Sequence, residues 1–223
     1  MVNFLRILKN FSGDEKEKDQ EKDKPTKHLA NAGFHSRHHN GERIFKNFTL
    51  DNIDFTNIPF QGLYFDNCYF QSVNLREFSL KGAIFKQCNF KGMNFQGVDF
   101  TNAALHKSSF EATVLRGSNF AGATLTKVNF SYANLYYACL RGTNLSEANL
   151  QSAELTHANF KHANLSNANL NNSNLAWADF SHSNLCGASL LDTNSSDTDF
   201  YKAEMRNCQI YKMSYTYKNF SNG

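Results

Sequence analysis

Every fifth residue of this chain, over most of its length, is phenylalanine or leucine. All thirty multiples of five from Phe45 to Leu190 are one or the other. Ser195 breaks the series once, and Phe200, Met205, Ile210, Tyr215 and Phe220 then resume the register. A period of five fits neither the 3.6 residues of an α-helix nor the alternation of an ordinary strand. It requires each five-residue step to turn the chain by a fixed angle and return one large apolar side chain to a common axis. An unbroken series of this length describes one elongated domain rather than two globular ones.

A second slot lies two residues before each of these centres. From Ala103 onward it is small, as at Ala133, Ala138, Ala148, Ala153, Ala158, Ala163, Ala168, Ala178 and Ala188, with Ser or Thr between. One bulky and one small group per step fill a limited interior. Between the two slots stands Asn at 134, 144, 149, 159, 164, 169, 174 and 184. Asparagine accepts turn dihedrals and bonds to nearby backbone, and stacked Asn side chains form ladders. The two residues after each centre are mixed and polar. Proline occurs only twice, at Pro25 and Pro59, as expected where most N–H groups are needed for pairing.

The unit Ala163-Asn164-Leu165-Ser166-Asn167 resembles the A(D/N)LXX motif of the pentapeptide-repeat family, and the resemblance runs over roughly residues 43–220. It implies an all-β fold, a right-handed quadrilateral β-helix of four repeats per coil. About nine coils at ~4.8 Å spacing make a rod roughly 40 Å long. Residues twenty apart then stack, giving ring columns such as Phe100, Phe120, Phe160, Phe180 and Phe200. The domain division expected is 1–40, an amphipathic helix followed by a charged and His-rich linker, and 41–223, the β-helix.

The departures carry their own expectations. Phe48, Ile53, Ile58, Leu63, Val73 and Phe78 put bulk in the small slot, which predicts a wider or less regular N-terminal end. Ser195 suggests a local bulge or weak corner. Phe4, Leu5, Leu8 and Phe11 fall at helical spacing, an amphipathic helix suited to capping the open N-terminal edge. His35-Ser-Arg-His-His39 reads as a disordered polar segment, with no carboxylate or Cys to complete a metal set.

Charge narrows function. Residues 1–40 hold eight Lys/Arg and six Asp/Glu, and the remainder fifteen and fourteen. A nucleic-acid binder would carry a basic stripe, so no direct nucleic-acid binding is expected. With mean hydropathy at −0.53, no stretch is apolar enough to span a bilayer, and a membrane role is not favoured. Five cysteines without framework spacing fit a reducing cytoplasm. Cys68, Cys88 and Cys208 occupy the small interior slot and read as buried hydrophobes rather than nucleophiles. No catalytic constellation, cofactor motif or metal-ligand set emerges, and a filled rod offers no pocket. His162 and His182 stack on one outer column, where polar filler is the simpler reading.

The surface feature that stands out is an outer column of Tyr137, His157 and Trp177, with Tyr132 and Tyr136 close by; Trp177 is the only tryptophan. Exposed aromatic clusters mark protein contacts. The C-terminal coil is unusually apolar at Ile210, Met213, Tyr215, Tyr217 and Phe220. Relatives in the family dimerise end to end through their last coils, so the resemblance implies a homodimer there. The reading is a non-enzymatic bacterial, cytoplasmic interaction scaffold with an unidentified protein partner. The family also implies two alternatives: a DNA mimic that binds DNA gyrase or topoisomerase IV and protects against quinolones, which needs an acidic surface, or an effector or membrane-associated scaffold targeted by residues 1–40.

Overall fold

The computed structural model describes residues 27–76 and 78–212. The capping segment expected at residues 1–11, and Met213, Tyr215, Tyr217 and Phe220, lie outside them.

The architecture is the right-handed β-helix that the five-residue period implies. Strand β1 (Lys27–Ala30) leads into helix α1 (Asn31–His39), followed by β2 (Ile44–Lys46), β3 (Phe48–Asp51), β4 (Tyr64–Asp66), β5 (Tyr69–Gln71) and β6 (Ile84–Lys86). These form two parallel sheets, β1-β3-β5 and β2-β4-β6, with Phe45, Phe65 and Phe85 in register. Beyond them the walls continue as single parallel bridges twenty residues apart, from Tyr69↔Asn89 to Ser189↔Gln209. Four repeats therefore make one coil.

One repeat shows why the sequence closes this way, because all five of its N–H groups have a destination. Leu165 N donates forward to Asn184 O at 2.7 Å and Asn164 N back to Thr143 O at 2.8 Å. Asn167 N reaches Cys186 O at 3.0 Å, and Ala168 N closes a turn on Leu165 O at 3.0 Å. The fifth, Ser166 N, donates to Asn164 Oδ1 at 3.1 Å. That last bond is why Asn or Asp precedes so many centres: its side chain does what a backbone carbonyl cannot reach to do. The coil-to-coil Asn ladder is a further contribution, as in Asn194 to Asn174 at 2.9 Å and Asn149 to Asn129 at 3.2 Å.

The centres fill the axis. Phe45, Phe100, Leu135, Phe160 and Leu190 are fully buried, as are small-slot residues such as Ala138 and Ala158. Rings of successive coils lie nearly parallel, Phe100 on Phe120 and Phe160 on Phe180, each at 4.5 Å. At most small-slot Ser and Thr positions the hydroxyl donates to a backbone carbonyl, as Thr143 does to Leu140 O at 2.7 Å and Ser108 to Phe85 O at 3.0 Å, whereas the buried Ser183 hydroxyl makes no such bond. Cys68 and Cys88 behave likewise toward Phe45 O and Phe65 O at 3.3 and 3.6 Å, and both are buried. Burial pushes the Cys88 thiol well above its ordinary range, which suits a packing residue and not a nucleophile. Cys208 is only half-buried and packs on the core edge.

Two expectations need correction. Ser195 forms no bulge or loose corner: it is fully buried, and the flanking bridges Asn174↔Asn194 and Asp179↔Asp199 keep the twenty-residue register. A single short side chain leaves the backbone bonds that set the coil intact. The His-rich segment is not disordered but forms helix α1, which covers the first coil. Its Phe34 is fully buried, 4.8 Å from the Phe45 ring and 5.0 Å from Phe55. Phe34 breaks the five-residue register, which hid its role as the plug of the rod. The β-helical domain thus has its described cap within residues 31–39.

The N-terminal end is irregular on two walls only. Among the described residues, bridges on those walls begin at Ser79↔Asp99 and Asn94↔Val114, whereas the other two are paired as continuous strands from β1 and β2. Ile53, Ile58 and Phe78 occupy the small slot on those walls and pack on the core.

Candidate docking surface on one corner of the rod

Each corner is a turn made by the two residues after a centre. From Asn47 to Lys212, every described residue two past a centre has a positive φ. This left-handed geometry at the third turn position is that of a type II turn, which favours Gly or Asn. Gly62, Gly82, Gly92, Gly97, Gly117 and Gly142 meet the demand directly. For a bulky side chain the same geometry costs roughly 1–2 kcal/mol.

Against that demand, Tyr132, Tyr137, His157, His162, Trp177 and His182 all stand in this slot, at φ between 57° and 61°. Four of the five residues singled out from sequence come together. Tyr137 and His157 stack at 4.5 Å with planes 9° apart. Trp177 continues the column at 6.1 Å from His157. Tyr136 stands edge-on to Tyr137 at 4.5 Å. Tyr132 is 62% exposed but sits one corner earlier and makes no ring contact with the rest. Tyr137 and Trp177 are 55% and 59% exposed, so the stack is a surface and not a core. The Tyr136 phenol, more than any other neighbour, raises the pKa of Tyr137, which therefore stays neutral near pH 7.

Arg116 was not singled out from the sequence. Its guanidinium lies 4.8 Å over the Tyr136 ring and closes the N-terminal end of the stack. Arg116 lies twenty residues before Tyr136, so the coil length alone locates it. On the next corner His162 and His182 stack at 5.0 Å, with Tyr201 edge-on to His182 at 5.7 Å. Of the C-terminal set, Ile210 is 58% exposed in the last described coil, beside Tyr211.

Elsewhere the features are structural. A shallow groove of about 500 Å³ runs between α1 and the first coil, lined by His35, His38, Asn40, Thr56 and Ile58. His35 Nε2 lies 2.9 Å from Asp54 O, tying the helix to the rod. Among the described residues no group of three or more His, Cys, Asp or Glu is placed to hold a metal ion, and no helix is long and apolar enough to cross a membrane.

A solid right-handed β-helix with side chains presented only on its outside is the class of molecule this geometry defines. The comparisons agree: residues 63–140 match the pentapeptide repeat region model, and residues 148–185 and 178–212 match the model of pentapeptide repeats in eight copies. The chain belongs to the pentapeptide-repeat family, a family of structural repeat scaffolds.

Among solved structures it is similar to HetL, a pentapeptide repeat protein involved in heterocyst differentiation regulation from the cyanobacterium Nostoc sp. strain PCC 7120. Identity is 19% over 82% of this chain and 95% of that one, with a TM-score of 0.44. A trypsin-treated variant of QnrB1, a plasmid-mediated fluoroquinolone resistance protein, is 17% identical over 78% of this chain and 83% of its own, at a TM-score of 0.48. A pentapeptide repeat protein of the Arabidopsis thaliana thylakoid lumen is 30% identical over 49% of this chain and 70% of that one, at 0.21. No curated protein matches the chain.

Proposed function

We propose that this protein is a non-enzymatic, cytoplasmic docking rod whose Tyr136–Tyr137–His157–Trp177 corner binds a protein partner. One observation carries the reading: large aromatic side chains occupy three successive left-handed positions of one corner, Tyr137 and Trp177 exposed and His157 half-buried between them, where Gly or Asn relieves strain. Strain kept at a solvent-facing site points to use of that site. Trp and Tyr are also enriched among the few residues that carry most of the energy of protein contacts.

The reading as a DNA mimic fits less well. It needs a continuous acidic wall, yet carboxylates here alternate with cations one coil away: Lys46–Asp66, Lys91–Glu111 and Lys127–Glu147 lie at 3.6, 2.7 and 3.2 Å. A C-terminal homodimer interface accompanies the docking role, supported by the exposure of Ile210 and Tyr211.

The test compares proteins captured from the native host by the wild type and by Tyr137→Ser/Trp177→Ser. Both baits should melt alike, and a specific partner should be lost from the variant. An unchanged set of captured proteins refutes the assignment.

A further inference from the structure

Next to the aromatic corner stands a second ridge of different chemistry. Its outward residues are Arg141, Lys161, His162 and His182, and between the ridges the half-buried Cys139, Asn159 and Asp179 face outward. The rod therefore carries a shallow trough along its axis, one bank aromatic and the other basic.

The charges of the basic bank are arranged against the protein's own stability. On other walls a lysine stacks on a carboxylate one coil further on, as Lys91 does on Glu111 at 2.7 Å. The residue one coil beyond Arg141 is Lys161, a like charge directly opposite, which disfavours the pairing. Neither has a carboxylate within ion-pair distance among the described residues, and nor does Arg116 at the head of the aromatic bank. One acidic group enters this stretch of the floor, Asp179 between Trp177 and His182, and its Oδ1 is occupied by Ser181 N at 2.8 Å. Like charges stacked beside an exposed aromatic column, with no ion-pair partner among the described residues, suit an anionic ligand.

We propose that the trough takes an extended acidic peptide segment of the partner protein, its carboxylates toward Arg141 and Lys161 and its apolar side chains toward Tyr137 and Trp177. An extended chain sends successive side chains to opposite sides, so a period-two alternation of acidic and apolar residues meets both banks at once. This assignment rests on the docking role of the aromatic corner and adds the chemistry of what docks.

The experiment measures fluorescence anisotropy of a fluorescein-labelled decapeptide alternating Glu and Val, beside Gln/Val and Lys/Val counterparts and a labelled single-stranded oligonucleotide of similar length. Only the Glu/Val peptide should bind, and added salt should weaken it. Arg141→Glu/Lys161→Glu should weaken it about tenfold or more, while Lys91→Glu, on another wall, should leave it unchanged. Circular dichroism melts establish that each variant is folded. No binding of the Glu/Val peptide, equal weakening by Lys91→Glu, or tighter binding of the oligonucleotide overturns the proposal. If the peptide fails while the captured partner remains sensitive to Tyr137→Ser/Trp177→Ser, the docking corner stands and the acidic chemistry alone falls.

Discussion

The slot two past each centre separates what the fold asks of a residue from what the surface uses. The backbone there is left-handed whether the residue is Gly142, Asn167 or Trp177. Tyr132 is the clearest case, because its ring has no stacking partner to offset the strain. Tyr132→Asn should therefore raise stability by about 1 kcal/mol, read as a higher denaturation midpoint at unchanged slope. A lower midpoint shows that Tyr132 packs on something that matters. Tyr137→Asn should gain less, since it gives up the stack on His157. The sequence pattern already set these aromatics at outward positions where the residues are otherwise mixed and polar. It could not show that the backbone there is left-handed, because periodicity reports direction and not dihedral angle.

Helix α1 and the coil it covers behave as one element, joined by Phe34 and by the His35 contact to Asp54 O. The Phe34 ring lies 6.1 Å from that of His38, with planes 13° apart. Burial, chiefly, and then the cation of Arg43 lower the pKa of His38 from its usual 6.5, with His35 and His39 adding to the effect. A histidine whose folded pKa is depressed favours the fold when neutral. Its contribution is complete above pH 6.5 and is lost as pH falls through the lowered value. Amide exchange in α1 and β2 should thus speed up on acidification beyond its intrinsic change, while the coils around Leu165 stay protected, since solenoid stability is local. His38→Asn should remove that acid sensitivity, and an identical pH profile in the variant excludes His38 as its source. The walls and the core were legible because the apolar centre recurs at every step from Phe45 onward and most repeats make the same backbone bonds. The cap was not, because Phe34 lies off the register and a lone apolar residue among histidines carries no period. In the site, the stack of Tyr137, His157 and Trp177 followed from the twenty-residue coil, whereas the isolation of Tyr132 depended on which corner it occupies.

At the scale of the whole molecule, the rod has a capped end and an end at which Ile210 and Tyr211 stand in solvent. A pairing of two copies about a two-fold axis would cover that apolar end. Light scattering should then give about twice the 25.3 kDa of one chain, and Ile210→Glu should halve it. A monomeric wild type at high concentration removes the dimer and leaves the docking corner untouched. The twenty-residue register has one more outcome. The chain can change length only in whole quanta without scrambling its exterior. Excising residues 138–157 would seat Trp177 directly above Tyr137 and keep every corner aligned, while excising a single repeat would carry all later side chains a quarter turn around the axis. Whatever recognises this molecule reads an address written modulo twenty.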